Sequence, residues 1–348
     1  MKDYFIQLGR DLFATKKSGI TTVILLFLIS YAGFQVANWA VFDATFLGET
    51  RDDCTSGGAC WVFINSHFEA FLYGSFYPVE ERWRLSLGFG VLMVALAGLV
   101  LGSGQIRKSS LGFLALIFPF IGFELAFGLL IFDHVEMSKI GGLALTLLIS
   151  YVGILSSLPF GIILALGRQS AMPLVKGVCV AFIEFWRGVP LITVLFMASV
   201  MIPLFLPEEF DPSRFKKLVR ALIGVTLFSS AYMAEVIRGG LQSVSGGQSE
   251  AAEALGLSYG QKMWYVVLPQ ALVNVVPGIV NTFIGLLKDT TLVMIVGMYD
   301  LLGTVHGALT DSDWTGFSVE GYVFAGFVFW ALCFGLSKAS LVWEKKHG

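Results

Sequence analysis

Residues 140–166 read IGGLALTLLISYVGILSSLPFGIILAL and contain no charged side chain. An α-helix of that length reaches about 40 Å, which exceeds the roughly 30 Å thickness of the hydrocarbon layer of a bilayer. Lipid offers no hydrogen-bond partner to the backbone, and only a helix or a closed barrel satisfies the backbone groups internally. This segment therefore predicts a membrane-spanning helix.

Similar apolar segments recur along all 348 residues, of which 56% are hydrophobic and 14% are charged. Soluble domains typically carry about 25% charged residues. We therefore predict an all-α polytopic membrane protein with about eight transmembrane helices, the seventh being too long for one straight crossing. The predicted spans are residues 20–42, 85–103, 111–132, 140–166, 177–206, 220–241, 264–301 and 320–342.

The orientation of these spans follows from the lysines and arginines in alternate loops, because cytoplasmic loops carry the excess. One set of loops, which includes both ends of the chain, holds thirteen of these residues, and the other set holds eight. Both termini are therefore predicted to be cytoplasmic.

Cys54 and Cys60 bracket the sequence CTSGGAC in the long loop 43–84, which this orientation places outside the cytoplasm. Disulfides form in that environment, and five intervening residues with two glycines can bend enough for a bridge. We expect a disulfide between them, the alternative being two free thiols. Cys179 and Cys333 fall inside predicted spans and are interpreted as ordinary helix residues.

The chain divides near residue 140. Residues 1–139 form an N-terminal extension of three predicted helices that includes the loop 43–84, and residues 140–348 form a unit of five helices. The loop is rich in aromatic residues. Such a loop is expected to lie in the membrane interface, to meet a partner, or to pack locally as a cap.

The cytoplasmic loop between the sixth and seventh spans begins a segment that reads SVSGGQSEAAEALGLSYGQKMWYVVLPQAL from Ser243 to Leu272. Two serines each precede a glutamine by three residues, Ser245 with Gln248 and Ser258 with Gln261, and this spacing predicts two capping boxes. A glycine between the two helices is typical of a left-handed helix end. The segment therefore predicts a short helix, a tight turn and a second helix outside the membrane.

The first of these short helices carries alanines and a leucine at positions 251, 252, 254 and 255. Glu250 and Glu253 remain as its charged positions. Small side chains allow another protein to approach the backbone closely, and a projecting pair of helices suits docking into a groove of a partner.

The same segment resembles a known signature. EAA at 250–252, then Gly256, Val266, Leu268 and Pro269, is similar to the EAA motif of ABC-importer permeases, with valine at 266 where isoleucine is common. The resemblance implies a type I ABC-importer permease core, in which the loop 242–263 is the coupling helix that inserts into an ATPase subunit. The coupling residues it implies are Glu250, Ala251, Ala252, Gly256, Leu257 and Ser258.

Two further segments narrow the resemblance. FWRGVPLITVLF at 185–196 is similar to FRGTPLLVQLFF of polar amino-acid permeases, and LLKDTTLVMIVGMYDLL at 286–302 is similar to their LLKDTSLLSVIGVPELL. The match covers roughly residues 140–342. The N-terminal extension, with ACWVFINSHFEAFLYGSFYP followed by ERWR, resembles the general L-amino-acid permeases.

The resemblance implies an importer of L-amino acids in the bacterial inner membrane. The sequence contains no Gly-Lys dipeptide, so it lacks the phosphate-binding loop of an ATPase. We therefore expect no catalytic residues and no cofactor in this chain, with ATP and Mg bound by a partner. The implied partners are two ATPase subunits, a second and non-identical permease chain, a periplasmic amino-acid-binding protein and membrane lipid, without nucleic acid.

Ionisable side chains inside membrane spans are costly and usually face protein or a water-filled path. Glu184 and Arg187 are three residues apart on one predicted helix, with Arg187 near the middle of the bilayer. They are expected either to hold the two charges of an amino acid or to pair with each other. Glu235 with Arg238, near the cytoplasmic end of its span, is interpreted as a structural pair that supports the coupling loop.

Lys288, Asp289, Thr290 and Thr291 interrupt the long seventh apolar segment. A broken helix at this point would expose backbone amides to a carboxylate, as in many transporters. The alternative is a turn that joins two packed helices. Glu124 and Asp300 are further acidic candidates inside predicted spans.

Two other classes of function compete with a permease. A secondary transporter would leave the EAA loop without a purpose. An enzyme would need a reactive cluster, but the sequence has no nucleophile elbow, and its histidines lack metal-ligand spacing, so no metal site is predicted. The four histidines are His67, His134, His306 and His347.

Overall fold

A computed structural model describes residues 11–55, 57–102, 104–128, 130–205 and 216–347. These residues are helical apart from their connecting loops, and within them the β-structure amounts to two isolated bridges. The α-helices are α1 (Lys16–Ala37), α2 (Val62–Tyr73), α3 (Arg82–Leu101), α4 (Gly104–Gly112), α5 (Phe118–Phe127), α6 (Gly142–Arg168), α7 (Pro173–Gly188), α8 (Leu191–Phe196), α9 (Ile202–Phe205), α10 (Lys217–Ser243), α11 (Gly246–Ala254), α12 (Tyr259–Lys262), α13 (Leu268–Asn274), α14 (Val276–Asp289), α15 (Leu301–Leu309) and α16 (Ser318–His347).

Six helical segments of the described chain are long and apolar enough to cross a membrane. A seventh candidate is the bent pair formed by Pro173–Gly188 and Leu191–Phe205. The all-α membrane fold is therefore confirmed, while the predicted number of eight spans is approximate. The six segments are Lys16–Phe42, Val79–Leu99, Gly142–Arg168, Lys217–Ser243, Val276–Val296 and Ser318–Val342.

The predicted span 111–132 is shorter in the structure, where the apolar helical segment covers Phe113–Phe127. It ends at Gly128, which has a φ of +62° and lies against the backbone of Asp133, so a side chain there would be both strained and obstructed. Fifteen helical residues reach only about 22 Å, less than the thickness of the hydrocarbon layer.

The predicted span 177–206 is not a single straight helix either, because α7 and the segment that begins with α8 meet at an angle of 102°. The break lies at Val189 and Pro190. Proline disfavours a helical conformation in the preceding residue, and Val189 is extended, with φ −105° and ψ 133°. The bend therefore has a local cause in the sequence.

The described residues form two compact units. The larger comprises Phe68–Ala308 and Tyr322–Gly348. Its centre is the packing of α6 against α10 and α14, which approach closely at glycines: Gly153 lies against Leu286 and Val225, and Gly161 lies against Met233. Small residues at such crossings are typical of membrane helices, because packing rather than hydrophobic burial holds these helices together.

The smaller unit comprises Met1–His67 and Leu309–Gly321. Within its described residues, Cys54 and Cys60 form a disulfide with a Cα–Cα distance of 5.6 Å. The backbone N–H of Cys60 donates to the buried carboxylate of Glu320 (3.1 Å). The ring of Phe63 lies 5.7 Å from that of Trp314. This part of the aromatic loop is therefore a locally packed cap.

We predict that Lys17 and Lys338 lie on the cytoplasmic side and Asp313 on the outer side. All three side chains are exposed, so single cysteines placed there, with Cys179 and Cys333 replaced by alanine, can report the topology. Cysteines at 17 and 338 should be shielded from an impermeant thiol reagent in intact cells, and a cysteine at 313 should react. Opposite sides for positions 17 and 338 would contradict this topology and would mean that either Phe113–Phe127 or the bent pair does not cross the membrane.

Candidate coupling loop and substrate path

The segment after α10 folds as two short helices, α11 and α12, joined by a tight turn at Gly256. Gly256 has a φ of +77°, in the left-handed region. Its N–H donates to the carbonyl of Glu253 (2.9 Å), and the N–H of Leu257 donates to the carbonyl of Ala252 (3.2 Å). These two bonds form a Schellman motif, which needs a residue without strain at positive φ. The predicted helix, turn and helix are therefore present.

Of the two predicted capping boxes, the one at Ser258 and Gln261 is present. Gln261 Oε1 accepts from the backbone N–H of Ser258 (2.9 Å). The box predicted for Ser245 and Gln248 is wrong. The Ser245 side chain makes no capping bond, and the Gln248 side chain accepts instead from Gln270 Nε2 on α13 (3.3 Å). A hydrogen bond between residues that are far apart in the sequence therefore replaces the predicted capping bond.

We call residues 245–262 the knob. An ion pair between Glu253 and Lys262 joins its two helices. Ala252 is 3% exposed and so faces its own chain, whereas Leu255 is 82% exposed. Ala252 therefore does not contribute to the expected apolar surface over positions 251, 252, 254 and 255. Glu250 is exposed and has no salt-bridge partner in the described part of the chain.

Five charged side chains from α6, α7 and α10 form a second feature, the Glu235 cluster. Glu235 on α10 pairs with Arg168 (2.7 Å) and with Arg238 (2.9 Å). Glu184 pairs with Arg168 (3.1 Å), and Arg187 pairs with Glu235 (3.6 Å). The predicted pairing of Glu184 with Arg187 is therefore wrong, because both side chains find partners on other helices. The predicted pair of Glu235 with Arg238 is present.

The sequence did not indicate a role for Arg168, which is the last residue of α6 and lies 67 residues before Glu235. The only available signal was an arginine at the end of an apolar helix, where such residues are common. Arg187 also lies over the ring of Tyr232, with 5.6 Å between the guanidinium carbon and the ring centroid. The cluster holds three arginines against two glutamates, so its net charge is positive.

The segment 288–291 does not form the predicted break. Beyond Asp289, the last residue of α14, the chain tightens into a 3₁₀ helix over Thr290–Val296, so the helical bonding of its amides continues. Thr290 Oγ1 donates to the carbonyl of Leu287 (2.8 Å) and Thr291 Oγ1 to that of Lys288 (2.9 Å). Both hydroxyl protons are therefore used by the helix itself. Of these side chains, that of Lys288 is exposed.

Glu124 and Asp300 have structural partners. The Glu124 carboxylate accepts from the backbone N–H groups of Leu130 (2.9 Å) and Phe132 (3.1 Å), and so holds the loop that follows α5. Asp300 is fully buried, and its Oδ1 accepts from the N–H of Gly303 (2.9 Å) at the start of α15. Both residues therefore stabilise helix ends.

Comparison with known proteins identifies the family. Residues 157–339 match the family described as the inner membrane component of binding-protein-dependent transport systems. This chain belongs to that family. The match covers the bent pair α7 and α8, the Glu235 cluster and the knob. These three features of the permease therefore all lie within the segment that defines the family.

Two curated relatives extend the similarity beyond that segment. The permease is 47% identical over 342 residues to the inner membrane amino-acid ABC transporter permease protein YhdY of Escherichia coli K12, covering 98% of this chain and 92% of the relative. It is 39% identical to the glutamate/glutamine/aspartate/asparagine transport system permease protein BztC of Rhodobacter capsulatus, covering 83% and 79%. These matches therefore extend into residues 1–139.

A solved structure, described as a crystal structure of an amino acid ABC transporter with histidines, is 28% identical to the permease. The aligned region covers 59% of this chain and 92% of the chain in the solved structure, with a TM-score of 0.51. The similarity in three dimensions therefore agrees with the match in sequence. The permease is a multi-span membrane protein of the ABC-transporter type.

We predict that Glu235→Gln destabilises the permease more than Glu184→Gln. Glu235 is 15% exposed and faces three arginines, while Glu184 is 57% exposed and has one partner. Removing the central charge takes an ion-pair partner from three arginines in a partly buried site, which costs more than breaking an exposed pair. An exposed pair contributes less than about 1 kcal/mol. Thermal unfolding in detergent measures both variants, and equal melting temperatures would contradict this assignment.

Proposed function

We propose that the permease forms the translocation path of an ATP-driven importer of L-amino acids and couples that path to separate ATPase subunits. The names of the relatives support amino acids as the substrate class. The match at 157–339 falls inside residues 140–348, which we propose as the permease core, with residues 1–139 as an added extension. The proposed location is the bacterial inner membrane with both termini cytoplasmic.

The geometry of the knob is the observation that carries this proposal. Two short helices follow α10, with an exposed leucine at 255 and an exposed glutamate at 250 that has no salt-bridge partner among the described residues. A rigid turn at Gly256 fixes their relative direction. Such a surface suits insertion into a groove of another protein. The residues we assign to ATPase coupling are Glu250, Ala251, Ala252, Gly256, Leu257 and Ser258.

The permease is proposed to act within an assembly. Two ATPase subunits bind ATP and Mg at the cytoplasmic side, and a periplasmic amino-acid-binding protein delivers substrate. A second, non-identical permease chain completes the path. A secondary transporter is not favoured, because an ion-coupled carrier has no use for a cytoplasmic docking knob. The candidates for contact with substrate are Glu184, Arg187, Lys288, Asp289, Thr290 and Thr291.

Reconstitution tests the proposal. The full complex, purified through a tag on this chain and placed in proteoliposomes with binding protein on the outside and ATP inside, should take up labelled amino acids. Uptake should stop when ATP is replaced by a non-hydrolysable analogue. Uptake that follows an imposed proton or sodium gradient without ATP would overturn the proposal in favour of a secondary transporter.

We predict that Gly256→Val uncouples ATP hydrolysis from uptake. A Cβ at positive φ costs about 1 to 2 kcal/mol, and a β-branched side chain fits that region worst. The turn between α11 and α12 should therefore open and misdirect the knob. Uptake per ATP hydrolysed, measured in proteoliposomes at matched protein content, should fall severalfold.

Two variants serve as controls for this prediction. Gly177→Val adds the same side chain at an exposed position of α7, outside the knob, with open space around it, and coupling should be retained. Gly256→Asn places a residue that tolerates positive φ in the turn, and it should retain more coupling than valine. Normal coupling in Gly256→Val would show that the turn is not required for coupling.

A further inference from the structure

A groove lies between α3, α5 and α6 in the larger unit. It contains about 560 Å³ of space that no protein atom occupies, and part of it is open to the surroundings. Apolar side chains such as Leu92, Phe123 and Leu148 form its walls. Tyr151 has the one polar side chain among the described residues that line it. The groove is therefore almost entirely apolar.

The groove lies at the depth of the membrane. α3 belongs to the candidate span Val79–Leu99, and α6 forms the candidate span Gly142–Arg168. The part of α3 that lines the groove falls within residues 85–92, which extend about 10 Å along the helix axis. The next two residues of α3, Met93 and Val94, are exposed, as lipid-facing side chains are. Hydrocarbon therefore surrounds the open side of the groove.

The polar group of Tyr151 is used within the protein. Its hydroxyl donates to the carbonyl of Leu114, and its ring lies 5.2 Å from that of Phe118 in an edge-to-face arrangement. Water in a cavity needs two or more polar partners, and apolar cavities stay dry. An empty groove would also deprive its lining of dispersion contacts. The occupant is therefore expected to be apolar.

Two glycines widen the groove, Gly88 on α3 and Gly122 on α5. A Cβ at Gly88 would approach Leu125 to 3.6 Å, and one at Gly122 would approach the Phe118 ring to 3.4 Å. These are contact distances rather than clashes, so the packing of α3 against α5 does not require glycine at either position. The effect of the two glycines is to leave space for a bound group.

The size of the groove distinguishes between two apolar occupants, a helix of a partner and a hydrocarbon chain. A helix with its side chains is about 10 to 12 Å wide and rises about 5.4 Å per turn, so one turn fills roughly 420 to 610 Å³. The groove is therefore too small to seat a membrane-spanning helix. The methylene groups of an acyl chain are each about as large as a water molecule, roughly 30 Å³, so most of one chain fits.

A cation lies next to the groove in the sequence. Lys139 is exposed and directly precedes Ile140, which lines the groove before α6 begins. A phospholipid carries an anionic phosphate beyond the ends of its acyl chains, and lysines near the membrane surface attract anionic lipids. Charge complementarity therefore favours an anionic phospholipid over an uncharged hydrocarbon.

We propose that the groove binds one acyl chain of an anionic phospholipid, with Lys139 at the phosphate. The chain fills the junction between residues 1–139, which supply α3 and α5, and residues 140–348, which supply α6. This inference goes beyond the proposed function, because it assigns a lipid-binding site to that junction rather than a step of transport.

Photo-crosslinking with labelled lipid tests the proposal on the full complex. The complex is placed in vesicles of phosphatidylethanolamine and phosphatidylglycerol, in which part of the phosphatidylglycerol carries a diazirine in one acyl chain. Illumination before extraction should label both Leu148, in the groove, and Phe120, which is 78% exposed. After extraction and washing with detergent, illumination should still label Leu148 but not Phe120. Equal loss of label at the two positions would overturn the proposal.

Variants that fill the groove provide the second arm. In Gly88→Leu and in Gly122→Leu, the new side chain takes the place of two or more methylene groups, so the label retained at Leu148 should fall about tenfold or more. The matched control is Gly90→Leu, on α3 but outside the groove with open space around it, and it should retain the label. Unchanged retention in the first two variants would overturn the proposal. The wild-type measurement decides it if either variant fails to assemble.

The phosphate contact has its own test. Lys139→Gln should lower the retention of phosphatidylglycerol about fivefold, the effect of one lysine near the membrane surface. Glu136→Gln, which removes an exposed charge of the opposite sign nearby, should not lower it. Equal retention in the wild type and in Lys139→Gln would overturn the assignment of Lys139.

A photo-crosslinking amino acid at Leu148 identifies any other occupant. Illumination of the complex in the same vesicles should add the mass of a phospholipid to this chain. A crosslink to another chain of the complex would show that protein covers the groove, and the proposal would be overturned.

Discussion

Hydrocarbon offers no hydrogen-bond partner to a peptide group and little stabilisation to a charge, and most local features of this structure follow from that constraint. Where α5 ends at Gly128, the following amides are held by the Glu124 carboxylate. Where charged side chains lie on the helices, Glu235 forms ion pairs with three arginines from α6, α7 and α10. These two departures from a plain apolar helix are thus compensated by protein groups.

The knob follows a different constraint, since it lies outside the apolar helices and water can satisfy its backbone. Its shape is therefore set by local chemistry: a glycine at positive φ, two bonds that close the helix end, and the capping box at Ser258. It contacts the rest of the permease through the hydrogen bond between Gln248 and Gln270 and through the burial of Ala252. Because the knob is continuous in the chain with α10 and is bonded to α13, a partner that moves it would also move those two helices.

The sequence alone predicted those features that depend on neighbours three or four residues away. The membrane helices, the left-handed Gly256 and the Ser258 box belong to this class. Features that depend on distant residues were missed or assigned wrongly: Glu184 pairs with Arg168 rather than Arg187, and Gln248 binds Gln270 rather than capping with Ser245. The predicted spans 111–132 and 177–206 were wrong for another reason. Gly128 and Pro190 interrupt helices inside segments that are apolar throughout, so hydropathy alone does not show the interruption.

The central claim is that the knob contacts an ATPase subunit. A photo-crosslinking amino acid at Leu255, which is 82% exposed, tests it in the active complex. The control is the same substitution at Leu130, which is 92% exposed in the loop after α5. The account predicts that illumination joins position 255, and not position 130, to the ATPase subunit. An active complex in which position 255 forms no crosslink to the ATPase, or in which position 130 does, would contradict it.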